Sequence, residues 1–406
     1  MTIAAGTMTR VTWLGTRWPL AALLCGCAVL SGWSSGGAGT HSPGPLPTSD
    51  STLVLLGGRY LDVRTGTLRP NGAIVLRDGR IAALHPAERR WQPPADARVM
   101  DLSGRTVLPG LVDAHVHLTL AGHPDSNARA TLLAGFTTVA DLGSAGLAGV
   151  RLRDRIARGE VRGPRIIAAG SWIGERGGVC EFGGATVHGA AEARARARAD
   201  LATGADLLKV CVTGWPADAV AHPDSVELGV ETVDAVMAAA KAARRPVFAH
   251  AIGEAGALLA AKHGARALAH TPVVDSAGAA ALARTGVRVI STLASLAPRA
   301  GGTEILASFR LLRRAGVPIV LGTDAGVLPH GQNARELVAL TAAGLSPAEA
   351  LRAATLDAAA LLGVTDAGEI KVGAAGDLVV VAGDPLEDIH VIERPELVVQ
   401  HGRVVR

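Results

Sequence analysis

Six residues of types that bind metal ions follow or end short apolar runs in this sequence. They are His115, His117, Lys209, His250, His270 and Asp324. Neutral imidazole and carboxylate groups supply the nitrogen and oxygen ligands that suit divalent cations, zinc in particular. If the fold brings these side chains together, the chemistry that they support is the binding and use of divalent metal ions.

The four histidines fall into two patterns. His115 and His117 flank Val116, and alternation along a strand places both imidazoles on the same side. On its own the pair is weak evidence, since one histidine can be functional and the other incidental. His250 and His270 each end an apolar run, and a single histidine at such a place is usually structural. Two at equivalent positions, together with the pair, favour a shared metal site.

Lys209 and Asp324 complete the set, and each allows two interpretations. An ammonium inside the apolar run around Lys209 is unfavourable unless it is paired or modified. An ion pair with a barrel carboxylate is one interpretation. Carbamylation by CO₂, which makes a carboxylate able to bridge two cations, is the other. Asp324 is either a ligand or a helix N-cap, but helical residues begin only near Asn333, which weakens the second interpretation.

Eight short apolar strands, each followed by a helical stretch, are predicted to position these residues. The strands are 111–118, 137–142, 165–171, 206–212, 246–250, 267–270, 288–293 and 318–324. Eight consecutive βα units predict a closed parallel (β/α)8 TIM barrel, and an open doubly wound sheet is the alternative. In such a barrel the active site lies at the carboxyl ends of the strands, where the six residues fall.

Both ends of the chain outside this region are rich in short strands. Residues 51–105 contain apolar runs with an Asp78-Gly79 turn, which is typical of a hairpin. The last 35 residues repeat this style, so the two ends are expected to form one small β-sandwich. The predicted division is a signal and linker at 1–50, β-sandwich at 51–108, barrel at 109–365 and β-sandwich again at 366–406.

Composition excludes several classes of protein. The 406 residues are 49% hydrophobic and 19% charged, with a formal net charge of +4, so most of the chain is globular. Its 50 glycines have no triplet period, and four cysteines give no disulfide scaffold. Cys180 and Cys211 are therefore expected to be two buried thiols. The small, scattered positive charge argues against nucleic acid as a partner.

The amino terminus resembles an export signal. An uncharged apolar run at 18–30 follows Arg10 and Arg17, and it is too short to cross a bilayer comfortably. Leu24-Cys25-Gly26-Cys27 resembles a lipoprotein signal, which would leave an acylated Cys27 as a membrane tether. We expect an exported protein, periplasmic or anchored at the cell envelope. The alternative is an apolar start without export, in a cytoplasmic protein.

Longer motifs surround the six residues, and through them the chain resembles a known family. The motifs are PGLVDAHVHL, GFTTVADLG, ADLLKV, FAHA, ALAHT and GTDAG, followed by GLSPAEALRAATLDAAALLG and GEIKVGAAGDLVVVAGDPLEDI. They resemble the metal-dependent amidohydrolase superfamily, in its imidazolonepropionase-like and Xaa-Pro or Xaa-Arg dipeptidase-like branch. The resemblance runs from about residue 53 to 406 and is specific for the superfamily and metal site, but much less so for substrate.

The resemblance implies a binuclear metal site. His115, His117 and Asp324 would bind the more buried ion, His250 and His270 the more exposed one, and carbamylated Lys209 would bridge two divalent ions, expected to be zinc. A bridging hydroxide would attack the substrate carbonyl, with Asp324 as the general base that hands the proton to the leaving nitrogen. The family also makes a homo-oligomer the expectation.

The substrate is the least determined feature. We expect hydrolysis of a C–N amide bond in a dipeptide or N-acyl amino acid, and a cyclic amide or lactone is the alternative. A non-catalytic surface binding protein is an alternative of another class, although the ligand set is unbroken. Relatives often carry a histidine directly after Gly-Gly, and Val179 stands at that position in this chain. The substrate preference of the relatives is therefore in doubt for this protein. His330 and Trp215 are further candidates for substrate contact, or else ordinary surface residues.

Overall fold

The computed structural model describes residues 52–89 and 91–406. Six strands come before the first barrel strand: β1 (Leu53–Leu56), β2 (Arg59–Asp62), β3 (Thr67–Arg77), β4 (Arg80–Pro86), β5 (Arg98–Asp101) and β6 (Arg105–Pro109). Asp78 and Gly79, with φ of 49° and 75°, connect β3 to β4, which pair antiparallel. Two left-handed residues match the twist of a tight hairpin, so the predicted turn is confirmed.

The next nine strands form the second sheet, and all their pairings are parallel. They are β7 (Leu111–Val116), β8 (Phe136–Asp141), β9 (Arg165–Glu175), β10 (Thr186–Val187), β11 (Leu207–Cys211), β12 (Val247–His250), β13 (Ala267–Ala269), β14 (Arg288–Ile290) and β15 (Ile319–Val320). Eight of them follow one another around the sheet in chain order, and β10 pairs only with β9. Strands β7 and β8 are buried throughout, as expected where both faces are covered.

Hydrogen bonds between β7 and the segment 321–325, which follows β15, close this sheet. The amide of Ala114 donates to the carbonyl of Leu321 over 3.0 Å, and that of His117 donates to Ala325 over 2.6 Å. First and last strands of the row therefore meet. The predicted (β/α)8 barrel is confirmed, and the open doubly wound sheet is excluded.

Helices follow the barrel strands and cover the outside of the barrel. They are α1 (Pro124–Leu133), α2 (Ala148–Ala157), α3 (Gly189–Ala202), α4 (Pro216–Ala221), α5 (Val230–Ala242), α6 (Glu254–Lys262), α7 (Ser276–Thr285), α8 (Leu293–Leu296), α9 (Gly302–Arg314), α10 (Arg335–Ala342), α11 (Pro347–Ala353) and α12 (Leu356–Leu362). In α9 the buried residues Ile305, Phe309 and Leu312 recur at helical spacing, so one face packs inward. Ser346 begins α11 with a capping box that includes Glu349.

Three strands near the carboxyl end complete the first sheet: β16 (Leu378–Ala382), β17 (Leu397–Gln400) and β18 (Arg403–Val404). Strand β16 pairs antiparallel with β6, with Val379 opposite Leu108, so both chain ends share one curled nine-stranded sheet. The predicted boundaries at 108 and 365 remain a prediction, and the predicted signal lies outside the described residues. Within 52–89 and 91–406, no helix is both long and apolar enough to cross a membrane.

The prediction of two separate thiols at Cys180 and Cys211 is wrong, because these residues form a disulfide with Cα atoms 6.3 Å apart. Strands β9 and β11 are neighbours, and Gly174 of β9 lies opposite Cys211. The chain after β9 folds back so that Cys180 lies over Gly174, where an added Cβ would come 2.9 Å from the Cβ of Cys180. Helix α3 and most of β11 lie between the two cysteines in sequence, so the pairing depends on which strands the barrel makes neighbours.

Asp141 ends β8 as a buried carboxyl group, with the backbone amide of Leu118 as a neighbouring donor. It packs against the first turn of α2, where an added Cβ on Gly149 would lie 2.8 Å from Oδ2. Burial raises the pKa of Asp141 from 3.8 to about 8. There is therefore a pH range in which the Asp141 carboxyl group is protonated in the folded protein but ionised in the unfolded chain.

Replacement of this carboxyl group should change how stability depends on pH. Because the folded pKa lies above the unfolded one, Asp141 lowers the free energy of unfolding as pH rises from about 4 to 8. Asp141→Asn should reduce the loss of unfolding free energy between pH 5 and 8 by about 1 kcal/mol or more. Urea unfolding across this range measures it, with exposed Asp96→Asn as the control. Equal pH slopes in the wild type and Asp141→Asn would contradict the assignment.

Candidate metal centre

His115, His117 and Asp324 converge at the carboxyl end of the barrel. The Nε2 atoms of the two histidines are 3.1 Å apart, and Oδ1 of Asp324 lies 3.4 Å from the first and 3.2 Å from the second. All three side chains are buried. Strand β7 carries His115, His117 directly follows that strand, and the segment after β15 supplies the aspartate, so barrel closure creates the cluster. One carboxylate and two imidazoles facing one point can hold a divalent ion.

His250 and His270 lie beside this cluster, at the ends of β12 and β13. Their ring centroids are 4.7 Å apart, and that of His270 is 4.8 Å from His115. His250 Nε2 donates to the carbonyl of Gly214 over 3.1 Å, while His270 Nδ1 is hydrogen-bonded to Thr292 Oγ1 over 3.0 Å. The four predicted histidines therefore form one continuous group.

Burial keeps three imidazoles of this group, those of His115, His250 and His270, in the neutral form, the form that binds metal. It lowers the pKa of His115 and of His270 well below the usual value, with a smaller contribution from neighbouring positive charge. It lowers the pKa of His250 to about 4. At neutral pH these three rings are therefore uncharged and can offer a nitrogen lone pair to a cation.

Lys209 is fully buried on β11, and its Nζ has no hydrogen-bond partner in the described ranges. Burial lowers its pKa from 10.5 to about 7, although the negative charge of Asp324 acts in the opposite direction. A lysine with this pKa is largely uncharged just above neutral pH, and only the uncharged amine can react with CO₂. In the described residues no carboxylate lies within hydrogen-bond distance of Nζ, so the structure does not show the ion pair that was one interpretation of Lys209.

Backbone strain is concentrated where strands β13, β14 and β15 end. His270, Thr292 and Asp324 all have positive φ, of 81°, 48° and 58°. Left-handed backbone disfavours residues with a Cβ by roughly 1–2 kcal/mol each, so surrounding contacts must hold it. His270 and Asp324 belong to the set of predicted metal ligands, and Thr292 is hydrogen-bonded to His270.

Asp113 is a residue of this site that sequence reasoning missed. Its buried carboxylate accepts from the amide of His115 over 3.1 Å, from Thr323 Oγ1 over 2.7 Å and from Asn333 Nδ2 over 2.8 Å. Burial raises its pKa to about 6, although the hydrogen bonds from Asn333 and Thr323 act to lower it. Asp113 thereby ties β7 to the segment that carries Asp324. An aspartate inside the apolar run LVDAHVHL was the available signal.

Glu336 of α10 is a second buried carboxyl group that holds a strand end, in this case the end of β14. It accepts from Ser291 Oγ over 2.5 Å and from the amides of Leu293 and Ala294 over 2.8 and 2.7 Å. These bonds hold both sides of the left-handed Thr292, which contacts His270. Burial raises the pKa of Glu336 to about 8. Sequence reasoning missed this residue too, because it reads as an ordinary glutamate at the start of an amphipathic helix.

The three residues predicted to touch substrate occupy different environments. Val179 is buried beside the disulfide, so its side chain is packed rather than free. His330 is hydrogen-bonded through Nδ1 to Thr131 Oγ1 and through Nε2 to the carbonyl of His117, at 3.1 and 3.3 Å. Its two nitrogens therefore link helix α1 to the end of β7. Trp215 stands exposed after β11, next to the residue that accepts from His250.

The residues present fit divalent ions. The Nζ of Lys209 is buried without a hydrogen-bond partner in the described residues. Buried polar atoms without partners are rare, so a ligand or modification that satisfies this atom is expected. The donor set combines neutral imidazoles, a carboxylate and an amine that CO₂ can convert to a carboxylate. This is the set from which nitrogen- and oxygen-ligated zinc sites are built.

Comparison with known proteins gives a consistent result over most of the chain. A family model described as "Amidohydrolase family" matches residues 106–405. Among solved structures, a Xaa-Pro dipeptidase with methionine bound in its active site is 30% identical, with a TM-score of 0.81. That likeness covers 88% of this chain and all of the dipeptidase.

Curated relatives match over shorter stretches. Dihydroorotase of Anaeromyxobacter dehalogenans is 39% identical over 92 residues, which are 21% of this chain and 20% of that protein. Imidazolonepropionase of Symbiobacterium thermophilum is 48% identical over 56 residues, 13% of each chain. The chain thus spans about a fifth or less of the length of these two relatives. The predicted resemblance to this group of proteins is confirmed.

The Asp113 network provides a test of how the centre is held. Asp113→Asn turns one acceptor into a donor that faces the donating amide of Asn333, so unfolding should require about 1–3 kcal/mol less. Urea unfolding measures the change. The double variant Asp113→Asn/Asn333→Asp exchanges donor and acceptor and should recover most of it. A loss below about 0.5 kcal/mol in the single variant would show that the network does not hold the barrel closed.

Proposed function

Because the chain belongs to the amidohydrolase family, we propose that it is a binuclear metal-dependent enzyme that cleaves the amide bond of a dipeptide or N-acyl amino acid. The family and its prolidase-like neighbours make it a hydrolase of carbon–nitrogen bonds. The observation that carries the finer proposal is the convergence of four histidines, Asp324 and an unpartnered lysine at one end of the barrel.

In this proposal six residues would hold two divalent ions, with zinc as the expected metal. His115, His117 and Asp324 would hold one, His250 and His270 would hold the other, and Lys209 would serve both as a carbamate. Support for the carbamate comes from the buried Nζ without a partner and from its lowered pKa. When bound, the ions supply Lewis acidity, which lowers the pKa of water and polarises a carbonyl group.

Asp324 is the proposed catalytic residue. Its carboxylate is buried among imidazoles but retains a small exposed fraction, so it can meet a water molecule that enters from the barrel end. It accepts a proton as water attacks the substrate carbonyl, and it donates that proton to the nitrogen as the C–N bond breaks. The products are a carboxylic acid and an amine, and Asp324 returns to its starting state.

The preference for an amino-acid derivative rests on structural likeness. The similar Xaa-Pro dipeptidase holds methionine in its active site, and its likeness to this chain covers the whole of that protein. A free amino acid is what hydrolysis of either a dipeptide or an N-acyl amino acid releases. We therefore place this chain's substrate in the same chemical class.

We also propose that the protein works outside the cytoplasm. The disulfide between Cys180 and Cys211 supports this, since structural disulfides persist in oxidising compartments. The apolar run at 18–30 supports it from sequence, although those residues lie outside the described ranges.

Substitution of the general base separates chemistry from metal binding. Asp324→Asn keeps the size of the side chain and an oxygen ligand but cannot take up the proton. Turnover of dipeptides and N-acyl amino acids should therefore fall by about 10²–10⁴-fold, while metal content stays unchanged. Mass spectrometry of pooled substrates and elemental analysis measure the two quantities. Turnover within tenfold of the wild type would rule out this role for Asp324.

The bridging lysine gives an independent prediction. Lys209→Met fills the same buried space without a group that CO₂ can modify, so zinc content should fall from two ions per chain to one or none. Elemental analysis after dialysis measures it, with Lys241→Met on the exposed face of α5 as the matched control. Retention of two ions by the Lys209 variant would contradict the bridge.

A further inference from the structure

A strip of three aromatic side chains runs from the metal centre to the surface. Trp172, Phe182 and Trp215 form it, out of eight Phe, Tyr and Trp residues in the described ranges. The ring of Trp172 is buried and its centroid lies 5.4 Å from His117. Phe182 follows at 5.0 Å and Trp215 at 6.3 Å, with the last two rings inclined by 24°. We call these three residues the aromatic strip.

The outer end of the aromatic strip also touches the centre through the backbone. Trp215 directly follows Gly214, whose carbonyl accepts from His250 Nε2 over 3.1 Å. The strip thus borders both halves of the metal centre, His117 at its inner end and His250 at its outer end. Any substrate whose amide reaches the centre places its neighbouring groups within reach of these rings.

Phe182 and Trp215 are unusually exposed for aromatic residues. They are 54% and 53% exposed, whereas Phe136, Phe248 and Phe309 are fully buried. Apolar surface that is exposed to water is stabilised when an apolar group packs against it. Two adjacent half-exposed rings beside a catalytic centre therefore offer a surface on which a flat apolar group of the substrate can pack.

Covalent and hydrogen-bonded links hold the two loops of the strip together. Cys180 lies two residues before Phe182, and Cys211 lies four residues before Trp215, so their disulfide joins the loop after β9 to the start of the loop after β11. Glu227, which follows β11 in the chain, adds a second link to the loop after β9, because its Oε2 accepts from the amide of Val179 over 2.9 Å.

The inner side of the strip is closely packed. Gly183 lies so near Trp172 that an added Cβ would come 2.4 Å from ring atom Cε3. The turn that carries Phe182 therefore rests directly on the Trp172 ring. With the links at its edges, this packing gives the exposed rings a fixed position before any ligand arrives, which reduces the entropy lost on binding.

We propose that Phe182 and Trp215 form the subsite for an aromatic side chain of the substrate, and that the Cys180–Cys211 disulfide fixes the spacing of this subsite. The inference rests on the proposed function and narrows it to amides of aromatic amino acids. Phe182 and Trp215 act in it as specificity-determining residues, and the two cysteines act as positioning residues.

Matched substrates test the subsite through kinetics. The ratio of kcat/KM for Ala-Phe, Phe-Ala and N-acetyl-phenylalanine to kcat/KM for their alanine counterparts should exceed one in the wild type. Trp215→Ala and Phe182→Ala should lower this ratio about tenfold or more by acting on the aromatic substrates alone. Trp215→Phe should retain most of it, and Val99→Ala, an exposed site on β5, should leave it unchanged.

Calorimetric binding to the Asp324→Asn variant separates failure of the subsite from failure of the proposed function. Tighter binding of N-acetyl-phenylalanine than of N-acetyl-alanine supports the subsite even if the wild type turns over none of the substrates. Turnover with the same aromatic preference in the wild type and Trp215→Ala would overturn the subsite and leave the proposed function standing. Equal binding of both ligands without turnover would overturn both.

The role of the disulfide is tested with and without mutation. Reduction of the wild type, and the Cys180→Ala/Cys211→Ala variant, should lower the aromatic-to-alanine ratio while kcat on the alanine substrates changes less than threefold. Reduction alone covers the case in which the double variant does not fold. An unchanged ratio in fully reduced, folded protein would overturn the positioning role.

Discussion

The contact between strand β7 and the segment 321–325 is the interaction on which the rest of this structure depends. It closes the barrel, and the same residues carry His115, His117 and Asp324. Asp113 reinforces the closure from inside, through side-chain bonds that cross it. The contacts that stabilise the barrel therefore also set the geometry of the candidate metal centre.

Burial sets the chemistry of the site. It lowers the pKa of His115, His250 and His270 and brings that of Lys209 down to about 7, so these groups offer lone pairs over a wider pH range than exposed ones would. The left-handed backbone of His270 and Asp324 carries a conformational cost. Backbone amides at these strand ends donate to the carboxylates of Asp113 and Glu336, and Thr292 is hydrogen-bonded to His270, which holds that geometry in place.

The barrel and the position of the six polar residues followed from sequence, because alternation of apolar strands and helices is a local pattern and strand ends are recognisable. The pairing of Cys180 with Cys211 did not, since it depends on which strands are neighbours. The hydrogen bond from His330 to His117, the network of Asp113 and the packing of Phe182 against Trp172 are contacts between separate segments of the chain. Residue types alone do not reveal such contacts.

We propose that these six residues hold two ions bridged by a modified lysine. Crystals of the protein grown with zinc and bicarbonate, measured at the zinc absorption edge, would show whether they do. Two anomalous peaks are expected, one at His115, His117 and Asp324 and the other at His250 and His270, with carbamate density on Lys209. A single peak, or an unmodified Lys209 beside two peaks, would contradict the proposed centre.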